Sequence, residues 1–142
     1  MSQHRPKILV LCVDSTSMRA LSSAVGGTCE LVWLRDSIGL LRLAGENQGA
    51  AVAAVVDIAM PNVNAVEALQ SLKTAFPNVR RILLSDYCDL SLIVQGLHTG
   101  AVQSIVYKPV NSSELTAAIG SPFAGAGGHP PIATSHAARA IA

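Results

Sequence analysis

Four polar residues whose side chains can do chemistry each stand at the end of an apolar run. Asp14 follows ILVLCV and Asp57 follows AAVAAVV, while Ser85 ends RILLS and Lys108 follows SIVY. A carboxylate can act as a nucleophile or bind a cation, and hydroxyl and ammonium groups donate hydrogen bonds to anionic oxygens. These side chains could therefore form one ligand site, provided that the fold brings them together.

The run before Asp57 predicts the central strand of a sheet. Residues 50–56 are only Ala and Val, which is typical of a parallel strand buried on both faces. Met60-Pro61 then prevents a smooth continuation of the chain. An Asp at a strand end also commonly closes a turn, so Asp57 alone does not decide between a structural and a functional role.

Strands and helices are predicted to alternate along the chain, because apolar runs are separated by capping residues and glycines. The predicted strands are Ile8–Val13, Glu30–Leu34, Ala50–Asp57, Arg81–Ser85 and Ser104–Tyr107. The predicted helices are Met18–Val25 with hydroxyl caps from Ser15, Thr16 and Ser17, a helix capped by Asp36 or Ser37 and running through Leu43, Ala65–Phe76, Leu90–His98, and a last helix opened by a capping box at Asn111–Glu114.

This alternation predicts an α/β fold: a doubly wound five-stranded parallel sheet in the flavodoxin-like order 2-1-3-4-5, with helices on both faces. That order places strands 1 and 3 side by side at the point where ligands bind in such sheets. It would bring Asp14 next to Asp57, with Ser85 and Lys108 arriving from strands 4 and 5. We therefore expect one site at the carboxyl edge of the sheet.

Composition limits the class of protein. Half of the 142 residues are apolar, 13% are charged, and the net charge is +1 with scattered Lys and Arg, which argues against a nucleic-acid surface. Three cysteines without CxxC spacing predict free thiols and a cytoplasmic location, and no apolar run is long enough for a membrane span. We expect a tail at 1–6, one domain at 7–119, and a Gly/Ala/Pro-rich tail or linker at 120–142.

Four motifs together resemble the receiver domain of response regulators in two-component signalling, the CheY-like superfamily, over residues 7–119. They are D-I-A-M-P at 57–61, L-L-S at 83–85, G-A at 100–101 and Y-K-P-V-N-S-S-E-L at 107–115. The resemblance implies that Asp57 accepts a phosphoryl group and that Ser85 and Lys108 bond its oxygens. It also implies a cis peptide bond after Lys108, and a Mg²⁺ ion held by Asp14 and Asp57.

The sequence departs from the family pattern near these residues. Val13 stands beside Asp14 where the family has a second acid, so one metal ligand is missing. Asp86 follows the hydroxyl residue, and its carboxylate would either crowd the phosphoryl group or supply the lost metal ligand. An aromatic residue that often acts as a switch in the family is replaced by Ile105, and alternation predicts that Tyr107 faces the same side.

Two functions follow from these observations. The first is a receiver that accepts a phosphoryl group on Asp57 from a histidine kinase or phosphotransfer protein and then switches an output domain or partner. The alternative is a receiver-fold interaction module that works without phosphorylation. Neither is an enzyme beyond its own phosphorylation and dephosphorylation, and we expect no direct contact with nucleic acid or membrane. A homodimer or a contact with a partner protein is expected through the face formed by Leu90–His98, Ser104–Tyr107 and Asn111–Ile119.

Other candidate sites are weaker. Cys12 and Arg19 resemble a phosphatase loop, but their spacing is one residue too long and contains no glycine. Cys12 and Cys29 are predicted to be small core residues instead. His129 and His136 lie in the predicted tail and are expected to be solvated. A flavin or nucleotide site would need glycines after the first strand, and the sequence has none there.

Overall fold

Five parallel strands form one sheet in the order β2-β1-β3-β4-β5, which confirms the predicted fold. The computed structural model describes residues 5–86 and 90–120. The strands are β1 (Lys7–Leu11), β2 (Glu30–Leu34), β3 (Ala51–Asp57), β4 (Arg80–Ser85) and β5 (Ser104–Tyr107).

The five connecting helices cover both faces of the sheet. They are α1 (Ser15–Val25), α2 (Ser37–Glu46), α3 (Ala65–Ala75), α4 (Leu90–Thr99) and α5 (Ser112–Ile119). Helices α1 and α5 pack against each other on one face, while α3 contacts both α2 and α4 on the other. Each parallel strand is thus connected to the next through a crossover helix, as this topology requires.

The central strand β3 contributes to two separate hydrophobic clusters. Ala53 and Val55 pack with residues of α1 and α5, whereas Ala54 and Val56 pack with residues of α2, α3 and α4. All four are fully buried. Because successive side chains of a strand point to opposite faces, a strand covered on both sides needs a continuous apolar run. The Ala and Val run before Asp57 meets that need.

The first loop at the carboxyl edge differs from the prediction. Strand β1 ends at Leu11 rather than Val13, and the next helix begins at Ser15, three residues earlier than predicted. Its N-cap is Asp14, whose carboxylate accepts the Thr16 N–H, and not one of the three hydroxyl residues that follow. Since an Asp is as good an N-cap as a Ser or Thr, the first residue able to cap ends the loop.

A buried arginine connects two loops at the amino ends of the strands, opposite the carboxyl edge. Arg81 in β4 is 5% exposed, and its guanidinium donates only to backbone carbonyl oxygens among its described contacts. The acceptors belong to Pro77, Val79, Gly100 and Ala101. These carbonyls come from the loop before β4 and the loop before β5. The side chain therefore joins two loops that are distant in sequence.

Some predictions concern residues that are not described. Cys88, most of the predicted N-terminal tail, and the C-terminal tail beyond residue 120 with His129 and His136 lie outside the described residues. Within residues 5–86 and 90–120, no helix is both long enough and apolar enough to cross a bilayer.

Candidate functional site

Asp57 ends the central strand and points its carboxylate into a buried position, with 1% of the residue exposed. Its Oδ1 accepts the Ala59 N–H at 2.9 Å, because the chain turns sharply after the strand. Its Oδ2 accepts from Lys108 Nζ at 2.8 Å and from Cys12 Sγ at 3.4 Å. Three donors from three parts of the chain thus hold one carboxylate, as a buried charge requires.

Lys108 reaches Asp57 from two strands away. Its backbone N–H donates to the Ser85 carbonyl oxygen at 2.8 Å, which extends the β4–β5 pairing by one step. The ammonium lies 2.8 Å from Asp57 Oδ2 and 3.4 Å from Asp14 Oδ2. Three residues predicted from the ends of separate strands therefore meet in the structure. The Lys108–Pro109 peptide bond is cis, in agreement with the resemblance.

Two opposing effects act on the Lys108 ammonium. Partial burial lowers its pKa, since the charged form loses hydration. The hydrogen bond and the charge of Asp57, together with the charge of Asp14, act in the other direction and prevail. The pKa of Lys108 is therefore held above its usual value, and the side chain is a cation at neutral pH.

Asp14 has a structural and an electrostatic role. Its carboxylate caps α1 through Thr16 and accepts the Ser17 hydroxyl at 2.7 Å, while its side chain remains 39% exposed. The Ser17 hydrogen bond, helped by the Thr16 N–H and Lys108, lowers the pKa of Asp14 even though partial desolvation opposes the shift. The carboxylate is thus ionised and fixed in place at the mouth of the site.

Ser85 and Asp86 occupy different environments. Ser85 is fully buried at the end of β4, between the strands that carry Asp57 and Lys108. Asp86, the next residue, is exposed. Ile105 and Tyr107 are both buried in the same hydrophobic cluster, as strand alternation predicts.

The contact between Cys12 and Asp57 was not predicted from the sequence. The residue is buried, as predicted for a small core side chain, but its thiol also lies against Asp57. The register that pairs Leu11 with Val56 places the two following residues, Cys12 and Asp57, side by side, and the sequence alone carries no signal for this register. Burial, reinforced by the nearby Asp57 charge, raises the pKa of the Cys12 thiol to about 11.

The carboxylates of this site suit a weak magnesium site. Among the described ranges, no group of three or more His, Cys, Asp or Glu side chains is placed to hold a metal ion. Asp14 and Asp57 nevertheless both contact one ammonium, so two carboxylates already face a shared cation position. Mg²⁺ is commonly bound by one or two carboxylates, with water and phosphate oxygens completing its coordination. The donor set fits this ion without Asp86, whose role as a ligand stays a prediction.

Solved structures of low sequence identity share this fold. The signal receiver domain of an HD domain-containing protein from Pseudomonas fluorescens Pf-5 is 22% identical, with a TM-score of 0.70 over 81% of this chain and 84% of that one. A response regulator receiver domain from Clostridium thermocellum is 24% identical, with a TM-score of 0.69 over 80% and 90% of the two chains. A CheY-like receiver domain from Methanospirillum hungatei JF-1 is 21% identical, with a TM-score of 0.65 over 78% and 87%.

The family comparison extends beyond the fold. No curated protein shows a significant match to the chain. The model of the response regulator receiver domain, in contrast, matches residues 10–120 and so includes every residue of the site. This match covers most of the 142 residues and agrees with the strand order and the motifs. The chain belongs to the response regulator receiver domain family.

Proposed function

We propose that this receiver domain accepts a phosphoryl group on Asp57 from the phosphohistidine of a kinase or phosphotransfer protein. The observation that carries the proposal is the ammonium of Lys108, 2.8 Å from a buried carboxylate at the carboxyl edge of the sheet. An ammonium held there is placed to bond phosphoryl oxygens. The exposed Val13 and the partly exposed Asp14 lie in the first loop at this edge, next to the buried carboxylate.

The transfer needs positioning and charge neutralisation more than covalent help from the protein. A carboxylate oxygen of Asp57 forms a P–O bond while the P–N bond to the donor histidine breaks. The bonding electron pair returns to the imidazole nitrogen, which takes up a proton. Lys108 then moves its hydrogen bond from Asp57 to the phosphoryl oxygens, and Ser85 donates to another of them.

Asp14 and Asp57 are the residues that would hold Mg²⁺. When it is bound, the ion supplies positive charge against the phosphoryl oxygens. Asp14 is ready for this role because Thr16 and Ser17 fix its carboxylate while part of it remains exposed. Only two carboxylates are available, so we expect weak binding.

The domain acts as a regulator and not as an enzyme on other substrates. The added charge of about −1.5 to −2 would draw polar groups toward Asp57 and alter the end of β4 and the α4 region, which changes the surface offered to an output domain or partner.

We place pairing of two copies on the face formed by α4, β5 and α5, where Val94 is 46% exposed. Free thiols at Cys12 and Cys29 support a cytoplasmic location.

Mass measurement of the intact chain tests the proposal. The wild type is incubated with acetyl phosphate and Mg²⁺, and we expect a gain of one phosphoryl group that is absent in Asp57→Asn. Omitting Mg²⁺ should slow the uptake. Light scattering before and after phosphorylation tests the dimer.

Failure of the wild type to gain this mass would favour the constitutive interaction module. The observation that favours this second function is Val13, which is 57% exposed and takes the place of an acid beside Asp14.

A further inference from the structure

We propose that the thiol of Cys12 is a positioning residue for Asp57, and that its hydrogen bond to Oδ2 speeds the loss of the phosphoryl group. The inference rests on the proposed function of Asp57. It concerns how long the phosphorylated state lasts, a property set by groups that stabilise the carboxylate as it leaves phosphorus.

The first step is the geometry of the two donors on Oδ2. Lys108 and Cys12 both lie within hydrogen-bond distance of this oxygen, at 2.8 Å and 3.4 Å. Lys108 has a long side chain that can transfer its hydrogen bond to phosphoryl oxygens. Cys12 has a short side chain that directly follows β1, so it stays beside Asp57 when Lys108 changes partner.

The second step is the direction of the thiol proton. A thiol has one proton to donate and, in an ordinary environment, keeps it at neutral pH. Besides Asp57 Oδ2, the sulfur of Cys12 lies 3.9 Å from the Asp14 carbonyl oxygen. The carboxylate oxygen is closer and carries charge, and hydrogen bonds to charged acceptors are roughly twice as strong as bonds to neutral ones. The S–H bond is therefore directed at Asp57.

The third step is the change in charge during hydrolysis. The carboxyl group of the acyl phosphate is neutral, whereas the product is an anion. A water oxygen attacks phosphorus and the P–O bond to Asp57 breaks. The electron pair of that bond remains on the carboxylate, and the water proton leaves with inorganic phosphate or solvent. Because the negative charge spreads over both carboxylate oxygens as it develops, the Cys12 hydrogen bond strengthens and lowers the barrier.

The same bond stabilises the carboxylate before phosphorylation and so opposes the forward step. Cys12 therefore slows phosphorylation and speeds dephosphorylation, and both effects favour the unphosphorylated state. A thiol is a weak donor, so we expect a modest effect of about 3-fold in the lifetime of the phosphorylated protein.

The experiment measures that lifetime in the full chain. Wild type and variants are phosphorylated with acetyl phosphate and Mg²⁺, the donor is removed, and the remaining phosphoprotein is followed by intact mass. Cys12→Val removes the donor and keeps water out, and should lengthen the lifetime about 3-fold. Cys12→Ser restores a donor and should return the lifetime toward the wild-type value.

Cys29→Val is the matched control. Cys29 is equally buried and belongs to the same hydrophobic cluster, but it contacts Thr28 and has no described contact with Asp57. Its substitution should leave the lifetime unchanged. Equal lifetimes in the wild type, Cys12→Val and Cys12→Ser would overturn the inference. A wild type that takes up no phosphoryl group would instead overturn the proposed function.

An infrared measurement covers the case in which a Cys12 variant fails to fold. The S–H stretching band of Cys12, identified by its absence in Cys12→Ser, should move to higher frequency in unphosphorylated Asp57→Asn, where a neutral amide replaces the charged acceptor. A band unchanged by Asp57→Asn would overturn the inference.

Discussion

Replacing Lys108 with Met removes the ammonium that contacts both carboxylates and leaves the buried Asp57 charge without its counterion. At 2.8 Å and an effective dielectric constant of ~20, the attraction between the two charges is about 6 kcal/mol. The desolvation of both groups cancels part of this attraction, and breaking a fully buried pair typically costs about 3–5 kcal/mol. Lys108 is 16% exposed, so we expect a loss of about 2 kcal/mol in the free energy of unfolding.

A double-mutant cycle separates this ionic contribution from the loss of packing. Lys108→Met in the Asp57→Asn background should cost less than about 1 kcal/mol, because no buried anion remains to be neutralised. Urea unfolding followed by circular dichroism measures the free energy of unfolding of all four chains. In thermal unfolding, Lys108→Met alone should lower the melting temperature by roughly 8 °C. A coupling free energy near zero would refute the proposal that the ion pair stabilises the site.

The pH dependence of this difference has a definite sign. A pKa raised by folding contributes stability that is complete below the unfolded pKa of about 10.4 and is lost as the pH rises through the folded value. The difference between the wild type and Lys108→Met should therefore persist from pH 7 to about 10 and decrease above it. Lys7→Met is the control, since Lys7 pairs with an exposed Glu30 and should have little effect.

Three further changes test individual contacts. Arg81→Met should lower the free energy of unfolding by about 3 kcal/mol in urea, because buried carbonyl oxygens lose their donor. Ser17→Ala should raise the pKa of Asp14 toward its ordinary value in an NMR titration, and the stability that the wild type loses as the pH falls through the pKa of Asp14 should become smaller. Gly96→Ala should destabilise the fold by about 1–3 kcal/mol in thermal unfolding, since its Cβ would lie 2.6 Å from a Val102 methyl.

Each of these changes has a control or a result that would contradict it. A loss below about 1 kcal/mol in Arg81→Met would mean that water replaces the guanidinium as the donor. In Ser17→Ala, the lowered pKa of Glu30 should not change, because it depends on Lys7. Gly27→Ala introduces a Cβ with no heavy atom within 4 Å, so it should lack the steric cost of Gly96→Ala.

The sequence was sufficient for the fold because the pattern of each element agreed with its environment. The β3 run is apolar on both faces and is covered on both faces, and the predicted β2 and β5 match the observed strands residue for residue. Helix ends were less certain where several residues could cap. Asp14 and the three hydroxyl residues after it were all suitable, and the structure uses Asp14, the first of them.

Only part of the candidate site was predicted. The ends of strands can be recognised in a sequence, whereas contacts between neighbouring strands and loops cannot. Asp14, Asp57 and Lys108 each follow an apolar run, so the predicted strand order was enough to bring them together. The Cys12 contact needed the exact register of β1 against β3, which the sequence does not contain. Arg81 was missed for a similar reason, because its acceptors are backbone carbonyls in loops whose paths depend on tertiary packing.

The charges at the site indicate how the proposed phosphorylation would act as a switch with only one acid before α1. In the unphosphorylated chain, the ammonium of Lys108 faces the two carboxylates of Asp14 and Asp57, which leaves one excess negative charge. A phosphoryl group replaces the Asp57 charge with about −1.5 to −2, so the excess grows to about −1.5 to −2. A second acid at the position of Val13, as in the family pattern, would make the resting site more negative. With one acid, the resting site has less charge repulsion to balance, and the phosphorylated state would have the greater need for a cation or a rearranged hydrogen-bond donor.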